Sequence, residues 1–491
     1  MKHADSVFEK IDLSGKWWLP EVPNHEVDGR LVGSDAEGFR LTISGSFNPE
    51  ESVKTYLTGN GANSFPVIHG RTRDGIVTLL DSFWTKRSGT FSELFEYEFY
   101  ANTVIKGSLL RSPDDLHFQT LQCKFSVLCD WIDTRAFDYD PENGLRQSTI
   151  KLTLPARMTV YQGNGMAIHI DHAVRGPEMR IGQNSLTVEW EPQFVVEGIE
   201  QELPWEHPTQ LNHSSTIHAL SQFLAVATLN PVYPFDIAGY SGQFERAISK
   251  GKTYKVPIEL RRKRRVESPN YDIRSQLFSW HCIAQAPQEY FGNWFRIFRG
   301  LHSTIALFVD SVTRRHSYSP ERFFNLMIAL EGLHRFKYPE ASRPTPEHTQ
   351  RVQGIIKSVP DNCRNWLDET LAFSYEPSLR RRLKDLTKPF ADLFGWLIGA
   401  TGSPGQQKEW CNKITGAMAD ARNCIAHNLP ETWADPGQRY YHFTRIAETL
   451  IAIWLMKEIG LEDQTIDDRI RKSTLTIQYR ADLLEFLKAG L

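Results

Sequence analysis

Apolar and polar residues alternate along much of the first half of the chain. Phe39-Arg40-Leu41-Thr42-Ile43-Ser44 has an apolar side chain at every second position, the period of a strand with one buried face. Residues 148–154 and 185–190 repeat the pattern, and Pro155 closes the first of these two runs. Turn signals separate such runs at Gly59-Asn60-Gly61, Asn143-Gly144, Gly163-Asn164-Gly165 and Arg175-Gly176-Pro177. A last strand is expected from Tyr254 to Leu260. Many short strands with regular turns predict a β-rich, sandwich-like domain over residues 1–262. Cys123, Phe125, Val127 and Cys129 share one parity, which places both thiols on a buried strand face in a packing role.

After Leu260 the period changes. Arg261-Arg262-Lys263-Arg264-Arg265, followed by Ser268-Pro269-Asn270, reads as a solvated linker, with contact to nucleic acid as the alternative. Beyond it, Tyr290, Trp294, Ile297 and Phe298 recur at helical spacing, as do Phe323, Phe324, Met327, Ile328, Leu330 and Leu333. Ser319-Pro320-Glu321 opens the second of these segments with an N-cap serine and a first-turn proline. Further helices are expected over about 346–358, 361–373, 377–400, 406–428 and 438–459, with Gly460 as a C-cap. Residues 269–491 are therefore predicted to form one all-α domain.

Composition adds limits. The 491 residues, 41% hydrophobic and 23% charged, describe an ordinary globular chain. No apolar run is long enough for a membrane helix, and the polar start, Met1-Lys2-His3-Ala4-Asp5, leads us to expect no signal peptide. The six cysteines are too sparse for a disulfide framework and include no CxxC pair, so a reducing cytoplasm is the expected compartment. Residues 1–250 carry 21 Lys and Arg against 32 Asp and Glu, whereas residues 251–491 carry 35 against 27. That basic second half hints at a polyanionic partner.

Candidate chemistry concentrates in the helix expected over 406–428. Stepping 100° per residue puts Trp410, Ile414, Met418, Ala421 and Ile425 on a core face. Asn423 and His427 lie on roughly the opposite side, with Arg422 on the flank. Gly416, Ala419 and Ala426 make that outer half small, which suggests a seam where a second copy approaches; a solvent-facing surface is the alternative. Leu429-Pro430 ends the helix, so His427 falls in its last turn. An imidazole can give and take protons at neutral pH, and a guanidinium can grip two phosphate oxygens. Such a pair suits cleavage of a phosphodiester by its own 2′-hydroxyl, which RNA has and DNA lacks.

Arg422-Asn423-Cys424-Ile425-Ala426-His427 resembles the Arg-(four to six residues)-His motif of HEPN domains, including the polar residue after the arginine. Residues 323–333 resemble the family's earlier long helix, in which Glu331 corresponds to an acidic residue near the site. Gly15-Lys16-Trp17-Trp18-Leu19-Pro20, Gly29-Arg30-Leu31 and Leu41-Thr42-Ile43-Ser44-Gly45 resemble the opening of ApeA-type anti-phage proteins, in which a β-rich domain precedes a HEPN domain. The resemblance implies a metal-independent HEPN endoribonuclease of a bacterial abortive-infection system. Its catalytic residues would be Arg422, His427 and Asn423, supported by Glu331, with two motifs facing each other in a homodimer or larger even-numbered oligomer. Implied partners are host RNA such as tRNA and a phage component as trigger; no membrane and no cofactor are implied.

Arg380, Arg381, Arg382 and Lys384 form a second basic cluster that could hold an RNA backbone, or simply a solvated helix face. His169 and Asp171 share a strand face while His172 points away, so no metal site is expected there. A non-catalytic reading stays open: a ligand-binding or adaptor protein with a carbohydrate- or protein-binding β-sandwich. It would use N-terminal aromatics such as Trp17, Trp18, Trp84, Trp131 and Trp190, with only one of the adjacent Trp17-Trp18 facing the core.

Overall fold

The computed structural model describes residues 8–47, 64–88, 96–133, 136–140, 149–180, 185–198, 203–204, 216–242, 244–249, 252–264, 276–313, 320–400, 403–431, 435–477 and 479–489. The expected turns at Gly59-Asn60-Gly61 and Asn143-Gly144, the linker residues Arg265 and Ser268-Pro269-Asn270, and the N-cap Ser319 lie outside the described residues. Two compact units emerge. The first comprises Met1–Ser221, Pro231–Asn270 and Ala284–Phe291, and the second comprises Gln222–Asn230, Tyr271–Ile283 and Gly292–Leu491. Each unit is therefore drawn from three segments of the chain.

The first unit is β-rich, as expected, and closes part of its sheet into a barrel rather than a two-sheet sandwich. Strands β1 (Ile11–Trp18), β2 (Val27–Ser34), β3 (Gly38–Ser44), β4 (Ser64–Thr72), β5 (Gly75–Ser88) and β6 (Glu96–Lys106) pair in the order β6-β3-β2-β1-β4-β5. Pairing of β5 with β6 closes the ring. Val77–Phe83 of the long β5 pair with β4 on one edge and β6 on the other, and a register shift follows between Trp84 and Lys86. Six further strands extend the sheet from β6: β7 (Thr120–Phe125), β8 (Met158–Gly163), β9 (Met166–Arg180), β10 (Ser185–Gly198), β11 (Pro234–Tyr240) and β12 (Ile258–Arg262), in the order β8-β9-β10-β7-β11-β12.

Alternation along β3 sends Phe39, Leu41 and Ile43 into the barrel, all essentially unexposed. Trp17 fills the same core, and Gly29 and Gly70 make room for its ring. A Cβ added at Gly70 would lie 2.4 Å from that ring, inside van der Waals contact. Gly70→Ala is expected to lower the unfolding free energy by about 1–3 kcal/mol, as overpacked cores do. Urea unfolding checks this; a midpoint equal to the parent's would show that Trp17 has slack.

Several expectations for this unit are corrected. Only Trp17 belongs to the barrel core, as expected, but Trp18 is buried as well and offers no exposed ring. Trp18 pairs with His69 across β1 and β4, meets its ring edge-on at 5.8 Å, and lies under the Arg71 guanidinium at 5.3 Å. Trp131 and Trp190 are buried too, which removes four of the five aromatics offered as a sugar-binding surface. Cys123 lies on the buried face of β7, but that strand stops at Phe125, and Cys129 sits half-buried in the short helix α1 (Leu128–Ile132). Burial pushes both thiols up, that of Cys129 to about 11. The basic run is not a solvated linker over its described part. Arg261 and Arg262 belong to β12, and Asp35, itself 5% exposed, pairs with Arg261 at 2.7 Å and Arg264 at 3.6 Å. The expected strand from Tyr254 to Leu260 is broken at Pro257, between the strand Lys252–Lys255 and β12.

The second unit is helical, as expected. It takes the end of α2 (Thr216–Thr228), whose Phe223 packs on Phe278 and Trp294. Then follow α3 (Pro287–Thr313, of this unit from Gly292 on), α4 (Pro320–Lys337), α5 (Pro346–Ser358), α6 (Asp361–Leu371), α7 (Leu379–Thr387), α8 (Ala391–Leu397), α9 (Pro404–Ala426), α10 (Pro436–Ile459), α11 (Asp463–Lys472) and α12 (Arg480–Ala489). Pro389 splits the helix expected over 377–400 into α7 and α8. Helix α10 is buried on every side and forms the axis of the unit. Gly460 caps it in the left-handed region, φ 114°. Inside, Glu448 is fully buried and answered by Arg322 at 2.6 Å, Arg445 at 3.0 Å and the Ser311 hydroxyl at 2.6 Å. Among the described residues, no helix is long and apolar enough to cross a membrane.

Candidate functional site

Helix α9 begins with a capping box: Ser403 accepts from the Gln406 backbone N–H, and the Gln406 side chain returns a bond to Ser403. It ends at Ala426, with His427 as the C-cap residue. Asn428 adopts the left-handed region, φ 50°, and the Leu429 N–H reaches back to the Cys424 carbonyl at 2.9 Å. The stop is thus made by Asn428 before Pro430 acts. Beyond it, the Tyr440 hydroxyl donates to Glu431 at 2.6 Å and ties the following loop to α10.

Around its middle, α9 is buried on both faces. Ile414, Met418 and Ala421 face the core as expected, whereas Trp410 and Ile425, toward the ends, are only half-buried. The small outer face is not an open seam. Gly416 and Ala419 are buried, and a Cβ at Gly416 would stand 3.4 Å from the Arg380 guanidinium of α7. Small residues there admit a helix of the same chain, so the expected approach of a second copy along Gly416 and Ala419 is overturned. Ala426 and His427 remain exposed.

Arg422 projects toward α4. Its guanidinium lies over the Phe324 ring at 5.5 Å, and its Nη2 donates to Glu331 Oε1 at 3.2 Å. Its Nη1 makes a long contact of 3.5 Å to the Asn423 side-chain oxygen, and its buried Nε has no partner among the described residues. Phe324, Ile328 and Glu331 recur at i, i+4 and i+7, opposite the buried Phe323, Leu326, Met327, Leu330 and Leu333. The face of α4 turned away from the core therefore carries an aromatic platform and a carboxylate for Arg422. Ile328, between them, is 43% exposed. By spacing alone Phe324 merges with the apolar stripe of α4; its i, i+7 relation to Glu331 is the signal that separates it.

A cavity of about 510 Å³ opens beside Arg422, lined by Asn423, Glu331 and Asp420 and, across from them, by Glu376, Ser378 and Arg380. The second basic cluster divides by position. Arg380 lines the cavity and pairs with Asp420 at 3.2 Å. Arg381 turns to Asp385 at 3.0 Å, and Lys384 is half-buried. Arg382 is 2% exposed, and its guanidinium is consumed by Glu376, His334, Ser342 and the Pro377 carbonyl. Arg382 therefore builds the cavity wall and is corrected from an RNA contact to a structural residue. His427 is not among the lining residues of this cavity.

The tempting His169-Ile170-Asp171-His172 run is dispersed as the alternation implies. His169 lies between Thr159 at 3.0 Å and Glu197 at 3.3 Å, Asp171 accepts the His172 backbone N–H, and His172 stacks on Trp190 at 5.4 Å.

Comparison with known protein families gives two matches. The family model described as ApeA N-terminal domain 1 matches residues 12–294, more than half of the chain. The one described as Apea-like HEPN matches residues 324–465, which span Phe324, Glu331, Arg422 and His427. No curated protein and no solved structure matches the chain.

Proposed function

Because this chain belongs to the ApeA family, we propose that its helical unit is an anti-phage HEPN endoribonuclease that cuts host RNA, tRNA being the favoured substrate. The observation that carries this reading is the setting of Arg422: a cation held by Phe324 and Glu331, five residues before an exposed histidine at a helix end. Arg422 stabilises the charge that develops on the scissile phosphate. His427 moves protons, and Asn423 offers a polar side chain next to Arg422. Glu331 orients the guanidinium.

One chain brings one such histidine, whereas in-line cleavage needs a base for the 2′-hydroxyl and an acid for the leaving oxygen. Two copies meeting at this face supply both. Exposed Ile328 on α4 and exposed Leu429 just after His427 are apolar, as a pairing surface requires. The β-rich unit is the proposed sensor of a phage component, and the cytoplasm, where host RNA lies, is the proposed compartment.

The test is incubation of the pure protein with total bacterial RNA, with mapping of new ends. Cleavage is expected to persist in EDTA and to leave 2′,3′-cyclic phosphate, because the nucleophile belongs to the RNA. The carboxylates of the cavity are moreover each matched by an arginine that repels a metal cation. Activity lost on chelation and restored by magnesium would overturn the in-line mechanism.

A further inference from the structure

We infer that the cavity beside Arg422 is a guanine-reading pocket, which rests on the ribonuclease reading for its place next to a scissile phosphate. Its charge is balanced: Arg380, Arg382 and Arg422 face Glu331, Glu376 and Asp420. A groove built to track a phosphate backbone carries surplus positive charge. A cavity of about 510 Å³ with as many carboxylates as guanidiniums instead matches an uncharged ligand that presents both donors and acceptors, such as a nucleobase.

The pair Arg380 and Asp420 selects among the bases. Arg380 spends only Nη2 in its described contacts, on both Asp420 oxygens at 3.2 Å, so Nε and Nη1 retain their donors. Both side chains are more than half exposed, at 52% and 62%, so they can meet a ligand without leaving a buried position. Guanine carries, along one continuous edge, the acceptors N7 and O6 and then the donors N1–H and N2–H. Arg380 Nη1 takes O6, and the neighbouring Asp420 carboxylate takes the two donors. Adenine lacks the adjacent donor pair. Cytosine sets the acceptor N3 beside its one donor group, and uracil sets a lone N3–H between two acceptors, so neither presents a donor pair to Asp420. Pro377, Leu379 and Ala419 supply apolar wall for the ring faces. Single-stranded RNA presents splayed bases to such pockets.

Arg382 keeps the pocket in shape. It holds Glu376 at 2.7 Å and the Pro377 carbonyl at 3.0 Å, fixing the turn that leads into α7. Arg380 extends from the first turn of that helix, whose N-cap Ser378 also lines the cavity.

The experiment is calorimetric titration of the full chain with guanosine, adenosine, cytidine and uridine 3′-monophosphates, alongside mapping of RNA ends. Guanosine 3′-monophosphate is expected to bind at least tenfold more tightly than the other three. Arg380→Gln and Asp420→Asn should each bring the four within about threefold. Cuts in RNA should fall after guanosine, and that bias should fade in both variants. Equal binding of the four nucleotides by the parent, no binding at all, or a guanosine preference that survives both substitutions overturns the pocket. A guanosine preference in a protein that cuts no RNA, either pure or in phage-infected cells, would uphold the pocket and sink the ribonuclease reading. Unbiased cutting with equal nucleotide binding would do the reverse.

Discussion

Arg422→Ala and His427→Ala are each expected to reduce RNA cleavage by roughly a hundredfold or more, the range typical for loss of a proton-transfer group or a charge-stabilising donor. Neither should unfold the chain. His427 is exposed at the end of α9, and surface substitutions cost within about 0.5 kcal/mol. Arg422 is 24% exposed; its loss removes the contact with Phe324 and leaves Glu331 to water, at a cost of about 1 kcal/mol. Arg422→Lys should also fail, since an ammonium cannot hold Glu331 and grip two phosphate oxygens in the planar geometry of a guanidinium. Initial rates on total RNA, with thermal melting as the control for folding, decide the matter. A variant that cuts within threefold of the parent would remove that residue from the site.

The second large effect concerns pairing. Ile328→Glu is expected to convert the protein to a monomer and to lower cleavage by about two orders of magnitude, because the half-site left behind lacks its second proton-transfer group. Ile328 is 43% exposed, on the same face of α4 as Phe324 and Glu331, so a carboxylate there meets water rather than the core. It would, however, be desolvated, and repelled by its symmetry mate, in an isologous interface. Sedimentation and activity are to be measured on the same sample. A variant that stays dimeric and active would move the interface elsewhere, and a fully active parental monomer would overturn the two-copy site. Ala419→Trp cannot serve this purpose, since Ala419 is buried beneath α7 and the indole would disrupt the chain's own packing.

What the sequence determined by itself is what short-range periodicity encodes. Phe39, Leu41 and Ile43 specify a strand face, and the 3.6-residue recurrence of Phe323, Met327, Leu330 and Leu333 specifies a helix, because each pattern is written within one element. Pro346 after Thr345 and Gly460 after Ile459 mark helix ends through backbone preferences that act locally. The Arg422 and His427 pair was legible for the same reason, being six consecutive residues at one helix end.

Everything that depended on a distant partner was decided by the tertiary structure. The basic run 261–264 looked solvated because its counter-charge, Asp35, lies 226 residues from Arg261 in the chain. Gly416 and Ala419 looked like an outer seam because no local signal says that α7 returns to cover them. The apolar run of α2 passed unread within a strand-rich half, where length and period alone do not separate a buried helix from strands. The barrel closed because β5 pairs with β4 on one edge and β6 on the other, a partnership between strands that no local pattern announces. Of four neighbouring basic residues, only the packing of α7 decided that Arg382 would be buried as a strut and Arg380 would face the cavity. Helical spacing fixes the angle between side chains, while burial depends on which neighbour occupies each side.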